Sequence, residues 1–69
     1  MKISARNILK GKVKNIKTGA INNEVTIELV GGTEIVSVIT KESTEELQLT
    51  NGSSIYAIIK ASNVIIGTD

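Results

Sequence analysis

The sequence predicts an all-β fold: a small barrel of five strands with one short helix between the third and fourth. Three observations carry this. Apolar and polar residues alternate cleanly through 23–30, lysines mark one face of 8–17, and 33–40 is rich in Ile and Val. The period changes over one short stretch near residue 43, and two more β-rich segments, 54–60 and 63–67, follow it. Proline is absent, so glycine and asparagine mark the breaks between elements. Three strands, a helix and two strands is the element order of a five-stranded OB-like barrel.

Each element has its own reason. In 8–17, "ILKGKVKNIK", Lys10, Lys12 and Lys14 share one face, and Gly11 and Val13 lie on the other. A glycine in mid-strand predicts a bulge or a sharp bend there. "TGAINN" reads as a turn. In 23–30, Val25, Ile27 and Leu29 oppose Glu24, Thr26 and Glu28. "VGGT" predicts a two-residue hairpin, and 33–40 forms the third strand. Ser43-Thr44-Glu45-Glu46 is the S-x-x-E capping-box pattern, so one or two helical turns fit with Ser43 as the N-cap. "TNGSS" breaks the chain before the last two strands. The third strand carries Ile35 and Ile39 on one face and Val36 and Val38 on the other. The fourth carries Ile55, Ala57 and Ile59 against Tyr56 and Ile58. A strand apolar on both faces is buried on both, so the second face is expected to meet another subunit.

Length and composition point the same way. Sixty-nine residues make one domain, 1–69. A domain of this size buries only about 60% of its unfolded surface and usually needs a staple. Cysteine and histidine are absent, which leaves oligomerisation as that staple and removes thiolate metal sites, the commonest zinc ligand and the usual general base. No apolar run approaches the roughly 20 residues of a membrane span, and no signal-peptide core follows the basic N-terminus. A soluble, cytoplasmic protein is expected.

The charge is unevenly placed. Lys2, Arg6, Lys10, Lys12, Lys14 and Lys17 are six of the eight basic residues, and no acid lies among them. Such asymmetry points to an anionic partner, or to a solvated strand face balanced by the glutamates that follow. Enzymatic chemistry finds no Ser-His or Cys-His pairing, so no enzyme is expected. Asp69 is the single aspartate, and no carboxylate cluster suggests a bare cation. Single-stranded nucleic acid is the alternative partner, through the lysines of the first strand, but base stacking needs aromatic platforms and Tyr56 is the one aromatic residue. A small tetrahedral oxyanion suits the residue stock better. It needs short donors converging on one point with one or two fixed cations. The candidates are Ser4 and Arg6, Thr40 and Ser43 at the strand–helix junction, and Lys60 and Ser62. Free N–H groups at that junction add to the expectation.

Five segments, "SARN-x-LKG" at 4–11, "GAINNEV" at 19–25, "IELVGG" at 27–32, "VIT-x-x-S" at 38–43 and "IIKASNV" at 58–64, resemble the molbindins, the Mop-type molybdate-binding proteins that are essentially a single TOBE domain. The resemblance covers nearly the whole chain in order. It implies an OB-like (TOBE/Mop) barrel assembled as a hexamer, a trimer of dimers, that holds molybdate or tungstate at subunit interfaces for storage or homeostasis. The ligand positions it implies are Ser4, Arg6, Thr40, Ser43 and Lys60, with Ser62 just beyond. A second class of site is expected at the turn Gly19, Ala20, Ile21 and Asn22.

Overall fold

The computed structural model describes residues 1–69. Strands β1 (Asn7–Thr18), β2 (Asn22–Leu29), β3 (Glu34–Thr40) and β4 (Ser54–Ile59) form one sheet, with helix α1 (Lys41–Glu46) between β3 and β4. Pairing is antiparallel throughout, in the order β3-β2-β1-β4. The sheet is all-β as expected, but it has four strands and curls into a half-barrel.

β1 makes this possible. Its second half pairs with β2 from Gly11↔Leu29 to Thr18↔Asn23, and its first half pairs with β4 from Asn7↔Ile59 to Lys12↔Ser54. Gly11 and Lys12 are therefore bonded on both sides. The register shifts between Val13 and Asn15, so the bulge falls at Lys14 rather than at Gly11. Gly11 answers a different need. A Cβ there would stand 2.7 Å from the Glu28 carbonyl oxygen and 3.0 Å from the Ile27 side chain. The missing side chain lets the two backbones approach where β1 changes neighbour.

The expected fifth strand, 63–67, does not form. Ala61–Asn63 make a 3₁₀ turn, closed by Asn63 N–H donating to the Lys60 carbonyl at 2.9 Å. The turn carries the chain away from β4, and residues 65–69 take part in no backbone hydrogen bond. Val64, Ile65 and Ile66 are 52%, 93% and 88% exposed. Apolar β-rich composition cannot make a strand without an edge within reach. The two free edges, β3 and β4, remain open.

Two smaller expectations also change. The hairpin loop runs over Val30–Thr33 instead of two residues, because Gly31 and Gly32 both adopt positive φ, +96° and +95°, and Leu29 N–H donates across to the Thr33 carbonyl. The helix N-cap is Thr40, three residues before Ser43, and its side chain accepts the Ser43 N–H. At the other end, Gln48 N–H donates to the Glu45 carbonyl and Leu49 N–H to the Thr44 carbonyl. This is a Schellman closure with Gln48 at φ 53°, and it folds Leu49 back against the core.

The core is small. Val13, Val25, Ile27 and Ala57 are its buried apolar members, flanked by Ile16, Leu29, Ile35, Ile39, Leu49 and Ile55. An apolar trough of about 150 Å³ runs beside it, with Ile39 of β3 and Ile55 of β4 among its walls and Leu47 and Leu49 bridging them. The outer face is apolar at its two edges, Val36 and Val38 on β3 and Tyr56 and Ile58 on β4. Its middle is charged. There Lys14 bonds Glu34 and lies 3.9 Å from Glu28, and these are the ion pairs of the chain.

Replacing Gly11 with alanine forces the β1–β2 backbones apart and should cost about 1–3 kcal/mol. Urea unfolding at fixed protein concentration measures it. The Lys14 pair sets a pH dependence. Its hydrogen bond to Glu34, helped by the charges of Glu34 and Glu28 and opposed by desolvation, raises Lys14 above its ordinary 10.5. The folded state thus favours charged Lys14, so its stabilisation is complete below the ordinary value and lost as pH rises through the raised one. The unfolding difference between the native chain and Lys14→Gln should hold steady near neutrality and vanish at strongly alkaline pH.

Candidate functional site

The candidate ligand residues fall into two groups, because β1 separates them. The hydroxyl group forms at the end of β3. Thr40 pairs with Asn22 in the β2–β3 register. Its Oγ1 accepts the Ser43 N–H at 3.0 Å, and its O–H donates to Ser43 Oγ at 2.9 Å. That leaves the Ser43 O–H as the uncommitted donor of the pair. The turn Gly19–Asn22 lies alongside, since the Ile21 carbonyl accepts the Lys41 N–H at 2.9 Å and the Asn22 carbonyl accepts the Gly19 N–H at 2.9 Å. The turn expected to hold a second site thus neighbours the Thr40–Ser43 part of the first candidate set.

The cationic group forms at the opposite end of β1. Asn7 pairs with Ile59, and the Asn7 Nδ2 donates to the Ile59 carbonyl at 3.2 Å. This clamp brings Arg6, just before Asn7, beside Lys60, just after Ile59. Ser4, Arg6, Lys60 and Ser62 are all exposed, and neither cation makes an ion pair. Two neighbouring positive charges with serines nearby can attract an anion. At about 3.3 Å per residue, the twelve-residue β1 spans nearly 40 Å along its path between the groups. One chain does not bring Arg6 and Lys60 together with Thr40 and Ser43.

Some residues at these groups went unnoticed in the sequence. Asn23 and Thr44 are buried beneath Thr40 and are the buried polar residues of the chain. The sequence held a signal for Asn23, which falls in phase with Val25 and Ile27 on the inward face of β2. Thr44 gave none, since a threonine in a polar helix looks solvated. Lys41 is half-buried, follows Thr40 directly and makes no ion pair. It offers a cation at the hydroxyl group. No cluster of three or more His, Cys, Asp or Glu could hold a metal ion, and no helix is long and apolar enough to cross a membrane. Of the lysine stripe, Lys14 is committed to Glu34 and Glu28, while Lys10 and Lys12 border a shallow hollow of about 490 Å³ that Glu28 also lines.

Comparison with known proteins places this geometry. The TOBE domain model matches residues 3–66. The chain is 48% identical over 66 residues to molybdenum-pterin-binding protein 1 of Clostridium pasteurianum, covering 96% of this chain and 97% of that protein. It superposes on the molybdate-binding protein of Sporomusa ovata with a TM-score of 0.92 at 35% identity, over 99% of this chain and all of that one. It also superposes on the cytoplasmic molybdate-binding protein ModG, solved with molybdate bound, with a TM-score of 0.96 at 59% identity, over all of this chain and 49% of that one. With a family match over nearly its whole length and relatives this close, the chain belongs to the TOBE-domain family and, within it, to the Mop-type proteins.

Proposed function

We propose that this chain binds molybdate or tungstate between copies of itself, as a cytoplasmic store or buffer of the oxyanion rather than an enzyme. One observation carries the interface reading: the cationic group and the hydroxyl group lie at opposite ends of β1. A complete shell needs Arg6 and Lys60 from one copy and Thr40 and Ser43 from another, with Ser4 and Ser62 flanking the cations. Charge is then balanced by the two cations, and short hydroxyl and backbone donors set the cavity. Donors held at strand ends and at the start of α1 suit a large tetrahedron and cannot all close on the smaller sulfate. The turn Gly19–Asn22 is the candidate for a second anion position.

Assembly has support of its own. The half-barrel leaves an apolar trough between its free edges, and Val64–Ile66 is an exposed apolar segment, extended at Val64, that pairs with no strand. A second copy's tail laid against β3 or β4 satisfies both, by strand addition. The exposed Val36, Val38, Tyr56 and Ile58 give further surface for the larger assembly, for which a hexamer built as a trimer of dimers is the expected form.

The names of several relatives mention a molybdenum-pterin. A pterin ring asks for an aromatic or deep apolar slot; Tyr56 is the one aromatic side chain, and although it borders the apolar trough it is 56% exposed. The bare oxyanion fits the two groups better. Nucleic acid fits less well again, because Lys14 is withdrawn from the stripe by its carboxylates.

Titration calorimetry with molybdate, tungstate, sulfate and phosphate tests the ligand. The first two should bind and the others should bind far more weakly. Equal or absent binding of all four overturns the reading. Arg6→Ala and Thr40→Ala should each weaken molybdate binding by about 10- to 100-fold, the worth of a hydrogen bond to a charged group. Mixing the two variants should restore part of the binding, because mixed assemblies contain some intact interfaces. Light scattering tests assembly. Ile65→Asp/Ile66→Asp should shift the chain to smaller species while far-UV circular dichroism of the sheet is retained.

A further inference from the structure

The buried polar side chains of this protein are Asn23 and Thr44, and they are bonded to each other. Asn23 Nδ2 donates to Thr44 Oγ1 at 3.1 Å, and the Thr44 O–H donates to the Thr40 carbonyl at 3.0 Å. Thr40 is the residue whose side chain caps α1 and bonds both the N–H and the Oγ of Ser43. The chain of bonds therefore runs from the inward face of β2, through the core, to the hydroxyl pair at the surface.

Stability alone does not account for this arrangement. Asn23 Oδ1 is fully buried and has no hydrogen-bond partner. An orphan acceptor in a core this small is destabilising, and an apolar pair of similar shape would avoid it. Buried polar links of this kind fix one geometry among several. Such fixing is needed here. α1 is six residues long, too short to hold its first turn by its own hydrogen bonds. Its start is also the place where donor spacing has to be exact enough to separate one tetrahedral anion from another.

We infer that Asn23 and Thr44 are positioning residues that lock the Thr40–Ser43 pair at the spacing of a large oxyanion, and so set selectivity against sulfate. This rests on the reading of Thr40 and Ser43 as oxyanion donors. Neither Asn23 nor Thr44 touches the ligand. Locked donors match molybdate or tungstate without rearrangement. Released donors close on the smaller anion as readily as on the larger one.

The test uses the full chain in four forms: native, Thr44→Val, Thr44→Ser and the double variant Asn23→Leu/Thr44→Val. The double variant removes both buried polar groups at once, so neither is left without the other, and thermal unfolding near the native temperature shows that it folds. Hydrogen exchange at the Ser43 amide reads the lock without any ligand. It should speed up by about tenfold in Thr44→Val and in the double variant, with Val25 and Ile27 unchanged, and return to the native rate in Thr44→Ser. Calorimetry with molybdate and with sulfate reads the consequence. The ratio of their affinities should fall by about 10-fold or more in Thr44→Val and the double variant, mainly through weaker molybdate binding, and recover in Thr44→Ser. Unchanged Ser43 exchange overturns the inference. So does faster exchange with an unchanged affinity ratio. A native chain that binds neither anion, yet shows the exchange pattern, instead overturns the oxyanion reading and leaves the lock standing.

Discussion

β1 has two neighbours to serve, and the rest of the structure depends on that. Its twelve residues outrun either partner, so β2 takes one half and β4 the other, overlapping at Gly11 and Lys12. Three consequences follow from this sharing. The sheet must bend where the partners meet, which requires Gly11 to have no side chain and places the bulge one turn of the pleat further on, at Lys14. The inward faces of β2 and β4 are brought over one core through Val13 and Ala57. Finally, the residues beside the two ends of β1, Arg6 with Lys60 at its start and Thr40 with the Gly19–Asn22 turn at its end, are held a strand's length apart and do not share a site within one copy.

The same geometry sets the energetics. Burying a Val or Ile side chain completely is worth about 1.5–3 kcal/mol, and the core of this chain holds two valines, one isoleucine and one alanine, none of them completely buried. A core of that size leaves a 69-residue chain marginal by itself. The missing apolar contacts are visible in the structure as an open trough, two unpaired edges and an unpaired Val64–Ile66 tail. These are deficits of complementary shape, since an extended apolar segment is what an apolar trough with free strand edges accepts. Assembly of copies, as proposed above, answers the stability deficit and the divided site by one step.

How far the sequence could be read follows from the range of each interaction. The alternation in 23–30 reports local burial on one face and the Ile- and Val-rich run 33–40 reports β-propensity, and β2 and β3 lie within a residue of those bounds. Thr40 and Ser43 were legible as a cluster because a cap is local, though the box was read three residues too late: S-x-x-E at 43–46 and T-x-x-S at 40–43 overlap, and nothing nearby says which residue turns into the helix first. The fifth strand was misread because β-propensity states what a segment suits and not whether an edge is available to it. The grouping of Arg6 with Lys60 and their separation from Thr40 depend on pairings more than fifty residues apart, such as Asn7 with Ile59, which no local pattern encodes. Asn23 marked itself by standing in an apolar phase, but its partner Thr44 did not, so the network beneath Thr40 emerged only with the fold.

A divided site has a thermodynamic consequence that an enclosed one lacks. If the anion completes its shell only where two copies meet, as proposed, then ligand binding and assembly are linked functions. Anything that binds the assembled state alone stabilises it by mass action, about 2.7 kcal/mol when its concentration is a hundred times its dissociation constant. Reciprocity requires that assembly raise the affinity for the anion by the same factor. Each half-site alone is weak, because two exposed cations or one exposed hydroxyl pair hold an anion poorly against water. On that proposal, a chain with an unfinished core gains stability and a binding site together when copies meet, and loses both when they part. That coupling suits a buffer, which has to hold its ligand firmly when the ligand is plentiful and release it as the supply falls.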